Sequence, residues 1–194
     1  MEFIGFPKIA RLNRECVITE KLDGTNAQVY IRILGDTETM PTDTPIVAVR
    51  GNLLIYAGSR TRWLTPTADN YGFAKWVTVN ADELATLGEG RHFGEWWGVG
   101  IQRGYGAREK KFSLFNTERW TGVTPACCGV VPVLYSGSFS TEAVMTTIAT
   151  LRNTGSIAAP GFMHPEGVVC YHKASKTLYK VTLEKDMEWK GKSG

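Results

Sequence analysis

Lys21 opens the tetrapeptide Lys-Leu-Asp-Gly at the end of a β-rich stretch. Downstream stand Arg60 in GSRTRW, Glu95 in FGEWWG, Phe115 in KKFSLFN, Glu166 in PEGVV and Lys180 in LYKVT. These residue types suit chemistry at phosphorus. A lysine amine is protonated at neutral pH, so it becomes a nucleophile only when desolvation, or positive charge from a neighbour such as Lys180 or a bound Mg²⁺, removes its proton. Arg60 and Lys180 can offset charge developing on phosphorus oxygens. Asp23 and Glu166 suffice for a hydrated Mg²⁺, which usually keeps several waters and takes one or two carboxylates. Each residue also has an ordinary use. Lys21, Arg60 and Lys180 could be solvated, Glu95 a surface acid beside aromatics, and Phe115 plain core. Asp23 and Asn26 suit turns and caps, and Pro-Glu-Gly is a common turn. The set as a whole carries the signal, because every member lies on or beside a short predicted strand.

The elements that must position these groups are readable from periodicity. Val17 to Leu34 holds two β-rich stretches broken by the Asp23-Gly24 turn signal, and the second alternates Ala27, Val29, Ile31 and Ile33 against Gln28, Tyr30 and Arg32. A second hairpin is expected from Ile46–Val49 and Leu53–Ala57 around Arg50-Gly51-Asn52. Phe73 to Leu87 fits an imperfect helical period with Gly88 as C-cap, and another helix begins at Ser140 or Thr141 and ends before Gly155. Further strands are expected at Phe93–Trp97, Lys111–Phe115, Val130–Tyr135, Gly167–His172 and Thr177–Leu183. The class is α+β with mostly antiparallel sheets, two of which could pack around a cleft.

The 194 residues suit one domain with a single core. With 43% hydrophobic and 21% charged residues the chain is a globular protein, not a disordered one. A net charge of +3 permits an anionic partner without requiring one. No apolar run suggests a membrane span or a secretion signal, so a cytoplasmic protein is expected. Cys16, Cys127, Cys128 and Cys170 lack C-x-x-C spacing and are expected as reduced thiols, while scattered His92, His164 and His172 give no zinc pattern.

Taken in order, the motifs resemble those of the covalent nucleotidyltransferase superfamily of ATP-dependent ligases and mRNA capping enzymes. The stretch EKLDGTN, Glu20 to Asn26, is most similar to the RNA ligases of the phage T4 RNA ligase 2 type. The resemblance runs from Pro7-Lys8-Ile9 to about Glu184. It implies a ligase-type adenylyltransferase fold around a nucleotide cleft, with residues 1–194 forming one such domain and no appended C-terminal domain. It implies three steps: adenylylation of Lys21 by ATP, transfer of AMP to a 5′-phosphate, and attack by a 3′-hydroxyl. By the same resemblance Asp23 supports the lysine and a Mg²⁺ or Mn²⁺ ion, and Asn26 assists sealing. Glu20 and Arg60 belong to the nucleotide site, Glu95 accepts from the ribose, Phe115 stacks on adenine, Glu166 lies near the metal, and Lys180 meets the α-phosphate. One departure concerns the last motif, which often has two lysines one residue apart. Here Lys180-Val181-Thr182 keeps the first alone, with Lys185 or Arg62 as candidate substitutes.

The expected partner is nucleic acid: RNA, as a nicked duplex, an RNA/DNA hybrid or cleaved ends, in phage or microbial repair. A monomer is expected. A DNA nick ligase and a capping guanylyltransferase are rivals within the superfamily, the latter needing a further barrel domain. A catalytically silent nucleic-acid-binding module is the rival of another class. Trp63, Trp96 and Trp97 with Arg62, Arg103 and Arg108 are candidates for a nucleic-acid path, and Lys185, Lys190 and Lys192 for a basic tail.

Overall fold

The computed structural model of the protein describes residues 1–186. In chain order the elements are β1 (Glu15–Lys21), β2 (Thr25–Ile33), β3 (Ala48–Arg50), β4 (Leu53–Ser59), β5 (Trp63–Leu64), α1 (Phe73–Val79) and α2 (Ala81–Ala85). There follow β6 (Gly90–Gly98), β7 (Lys110–Leu114), β8 (Cys128–Val130), β9 (Val133–Ser138), α3 (Thr141–Thr154), β10 (Gly167–His172), β11 (Thr177–Thr182) and α4 (Leu183–Asp186). The class is α+β, as expected. The chain divides into two compact units, Leu22–Val131 and a second built from the segments on either side of it. Where the chain length suggested one core, the buried apolar side chains form two clusters.

The unit containing both flanking segments has a four-stranded sheet in the order β11-β10-β1-β9, antiparallel throughout. Alternation along β1 buries Cys16 and Ile18 on one face, where Val168 and Cys170 of β10 join them. Helix α3 covers that face with Val144, Ile148 and Leu151. Its N-terminus is capped as the sequence suggests, the Ser140 hydroxyl accepting from the Ala143 amide at 3.0 Å. The other face of this sheet, lined by Thr19, Lys21 and Lys180, is free of α3.

The unit Leu22–Val131 carries a seven-stranded sheet in which β3, β4, β2, β6, β7 and β8 follow in order and β5 pairs with β4. All its pairs are antiparallel except β7 with β8. One face buries Ala27, Val29 and Ile31 of β2 against Phe73, Ala74 and Val77 of α1 and Ala81 and Leu84 of α2. Phe73 lies among Trp76, Trp96 and Phe112 at centroid distances of 5.1–5.6 Å, an aromatic cluster that stiffens this core.

Three expectations change. Asp23-Gly24 does not close a hairpin, because β1 pairs with β9 and β10 whereas β2 pairs with β4 and β6. The single helix over Phe73–Leu87 breaks at Asn80, whose amide side chain bonds the Trp76 carbonyl at 2.8 Å after the β-branched run Val77-Thr78-Val79. The strand over Val130–Tyr135 is interrupted at Pro132, which has no amide proton to donate to a ladder. Val131 donates to Leu114 in one sheet, while the Pro132 carbonyl accepts from Glu20 in the other.

Candidate active site

β1 ends in two residues whose side chains leave on opposite faces of their sheet. Lys21, on the face away from α3, forms an ion pair with Glu166, Nζ to Oε2 at 2.6 Å. Both side chains are largely shielded, at 24% and 17% exposure. The register sets Lys21 opposite Gly167, and Gly167 opposite Thr182. A side chain at Gly167 would put its Cβ 2.2 Å from the Val181 carbonyl oxygen, so strand β11 approaches this closely only because residue 167 is glycine. Lys180 pairs with Val169, which pairs with Thr19, so Lys180 and Lys21 share a sheet face. Lys180 is exposed.

Glu20 points the other way. It is 1% exposed, and its carboxylate accepts from the Ser156 hydroxyl at 2.5 Å and from the Ile157 and Ala158 amides at 2.8 and 3.0 Å. The Glu20 side chain therefore anchors β1 to the turn after α3, on the face opposite Lys21. Pairing of the carboxylate with backbone donors was not signalled by the sequence around Ser156.

Thr182 stands where the second lysine of the motif is wanting. Its amide and hydroxyl both donate to Asp186 Oδ2, at 2.7 and 2.8 Å, and these bonds hold the Asp186 carboxyl below the ordinary range. Lys185 lies in α4 beside this cap. Lys190 and Lys192 lie outside the described residues.

The turn after Lys21 is clamped within the unit Leu22–Val131. The Asp23 amide donates to the Tyr105 hydroxyl at 2.8 Å, and Asp23 Oδ2 accepts from Arg103 Nε at 2.8 Å. The Gly24 amide donates to Glu95 Oε1 at 3.2 Å. A Cβ at Gly24 would lie 2.4 Å from the Trp96 carbonyl oxygen, so the turn sits against β6 through glycine. Asn26 is directly opposite Glu95 in the sheet. Phe115 follows β7 instead of ending it. Its amide bonds the Phe93 carbonyl and its ring is 38% exposed, so it is not plain core. Arg60 lies just beyond β4, exposed and with no hydrogen-bonding partner among the described residues.

The suggested nucleic-acid path is rearranged. Trp96 and Trp97 are buried, at 1% and 2% exposure, and serve the core. Arg62 braces its own loop by donating to the Ala68 and Asp69 carbonyls. Arg103 is tied to Asp23, and Arg108 is exposed. Trp63 packs with Tyr30 and Tyr56 under the Arg91 guanidinium, which lies 4.3 Å from the Tyr30 ring centre. Sequence reasoning missed Tyr105. The glycine spacing of GVGIQRGYG was its one available signal.

The donor set is suited to a hard cation. Glu166 and Asp23 offer carboxylate oxygens, each already facing a cationic side chain. Among the described residues no three His, Cys, Asp or Glu side chains cluster as a metal cage. A Mg²⁺ or Mn²⁺ ion on either carboxylate would thus complete its shell with water and phosphate oxygens. The cysteines are free thiols, and burial beside Cys16 pushes Cys170 up to about 12.

Comparison with known proteins bears on the whole chain. No curated protein matches its sequence. Among solved structures, a mutant of Naegleria gruberi RNA ligase with ATP and Mn superposes with a TM-score of 0.58 at 19% identity, covering 88% of this chain and 49% of that one. A mutant of the same ligase with AMP and Mn gives 0.60 at 19% identity, covering 88% and 50%. A third, with ATP and Mn, gives 0.60 at 20% identity, covering 91% and 53%. The chain thus shares their fold and spans about half their length. No helix among the described residues is long and apolar enough to cross a membrane. Residues 14–182 match the RNA ligase family, so the chain is a member of that family.

Proposed function

We infer that the protein is an ATP-dependent RNA ligase that joins a 3′-hydroxyl to a 5′-phosphate through a lysyl-AMP intermediate. The observation that carries this reading is Lys21 itself. It is the lysine of Lys-Leu-Asp-Gly in a chain of the RNA ligase family, held at the end of β1 against Glu166. Lys21 attacks the α-phosphorus of ATP, and pyrophosphate leaves. Lys180, on the same sheet face, offsets charge on the phosphate oxygens as the new N–P bond forms. Glu95 and Phe115 hold ribose and adenine, with Arg60 near the phosphates. Asn26, opposite Glu95, serves the sealing step.

Glu166 in one unit and Asp23 in the other are each suited to a divalent ion that completes its shell with water and phosphate oxygens, and such an ion would supply charge neutralisation at the triphosphate. Glu166 holds the Lys21 ammonium in an ion pair, and the Lys21 amine, once released from it, would be able to lose its proton and attack. RNA is the substrate that the family supports, and a DNA nick remains the competitor. Incubation with α-³²P-ATP and Mg²⁺, followed by denaturing electrophoresis, tests the first step, and a ligation panel with RNA, DNA and mixed ends tests the substrate. A labelled band lost in Lys21→Ala is the expected result. Absence of any band would leave the silent binding module as the better reading.

A further inference from the structure

The segment between β6 and β7 is the most contorted stretch of the described chain. Gly98, Gly100, Gly104 and Gly106 all have positive φ, and so do Gln102 at 44° and Tyr105 at 54°, where side chains are seldom tolerated. Non-glycine residues keep such a backbone only where surrounding structure holds them. Two anchors do so here. Ile101 is fully buried in the apolar cluster, and the Tyr105 ring meets Trp97 edge-on at 5.2 Å. Successive turns link them, from the Ile101 amide to the Gly98 carbonyl at 3.0 Å and from the Gly104 amide to the Ile101 carbonyl at 2.9 Å. The Val99 amide closes the base of the loop on the Glu109 carbonyl at 3.3 Å.

What this strained loop delivers is a pair of polar groups to one residue. The Tyr105 hydroxyl receives the Asp23 amide, and Arg103 Nε meets the Asp23 carboxylate, both at 2.8 Å. Ile101 and the Tyr105 ring pack the loop in place, and the two polar contacts are made in addition to that packing. We propose that Val99–Glu109 is a positioning device for Asp23. In it Tyr105 fixes the backbone that follows Lys21, and Arg103 occupies the Asp23 carboxylate until a divalent cation displaces it. Tyr105 and Arg103 are positioning residues and act through Asp23. The inference rests on the ligase reading of Lys21 and Asp23. It adds that a cation reaches Asp23 by exchange with a guanidinium.

The test compares wild type, Tyr105→Phe, Arg103→Lys and Arg103→Met. Tyr105→Phe keeps the ring on Trp97 and removes the hydroxyl alone. It should slow lysyl-AMP formation at saturating ATP about tenfold, the value of one lost hydrogen bond, while half-saturating ATP and the melting temperature stay at wild-type values. Mn²⁺ alone, titrated without ATP and followed by its electron paramagnetic resonance signal, should half-saturate Arg103→Met at about threefold lower concentration than wild type. Arg103→Lys, which restores a cation, should return toward wild type. A wild-type rate in Tyr105→Phe would overturn the proposal, as would rate and melting temperature falling in step, or identical Mn²⁺ titrations. If wild type forms no lysyl-AMP, the ligase reading fails instead, and the Mn²⁺ comparison still decides whether Arg103 guards Asp23.

Discussion

Within Leu22–Val131 the turn that follows Lys21 is built into a clamp. Gly24 is pressed against β6, Asp23 is held through amide and carboxylate, and Asn26 is locked opposite Glu95 in a sheet backed by aromatic rings. In the unit of β1 and α3 the comparison reverses. Lys21 is held by one ion pair on the sheet face away from α3, and the heavy anchoring falls on its neighbour Glu20, buried among three donors. The backbone that carries Lys21 is thus fixed through Glu20, while the ammonium itself has a single ion-pair partner.

The largest effect separating the two regimes is expected at Lys21. Lys21→Ala should abolish adduct formation, and peptide mass spectrometry of the wild type should place AMP on Lys21 alone. AMP on another lysine would end the contrast. Next comes Glu20→Ala, which strips the acceptor from Ser156, Ile157 and Ala158 and should cost about 3 kcal/mol of stability in chemical denaturation. Its effect on ATP affinity should be smaller than that of Phe115→Ala. The reverse order would return Glu20 to the nucleotide. Phe115→Ala and Glu95→Ala should each raise half-saturating ATP about tenfold with little change at saturation, because stacking and ribose contacts serve ground and transition states alike. Lys180→Ala should instead slow the saturated reaction. Equal losses at saturation for all three would erase the distinction between gripping and reacting residues.

The smallest effect tests the stiff core alone. His92 is buried with Nε2 at 2.9 Å from the Gly88 carbonyl, and burial lowers its pKa below the ordinary value near 6.5. A folded state that resists protonation loses stability as pH falls below that value, since the unfolded chain takes up the proton first. Melting temperature should therefore decline from pH 7 toward pH 5, and His92→Gln should flatten the decline. An identical slope in the variant would remove His92 as its source.

Much of this was visible in side-chain order. The alternation of Ala27, Val29 and Ile31 located β2, and Ser140 with Gly155 bounded α3, because these signals are local. The sheet to which a strand belongs was not local information. Asp23-Gly24 reads as a hairpin turn in any isolated segment, and only β9 and β10, far along the chain, take β1 as their partner. The motif residues could be named, but not what restrains them. Tyr105 reaches Asp23 across 82 positions from a conformation that few side chains adopt, and Arg103 looked like a free cation suited to phosphate. Glu20 and Lys21 are neighbours in sequence, yet the two-residue period of a strand sends them to opposite environments.

The point where the chain passes from Lys21 to Leu22, and again from Val131 to Pro132, also governs assembly. Leu22–Val131 is continuous, so its pairings can form as soon as that stretch has been synthesised. β1 precedes it and must remain unpaired while it is made, since the partner of Lys21 in the ion pair lies 145 positions away. Closing so long a loop adds an entropic barrier that the continuous unit does not face, and places completion of the lysine-bearing sheet late in folding. Lys21 thus meets Glu166 only after Leu22–Val131 has been made, and a nascent chain halted before Glu166 would carry Lys21 without its ion-pair partner.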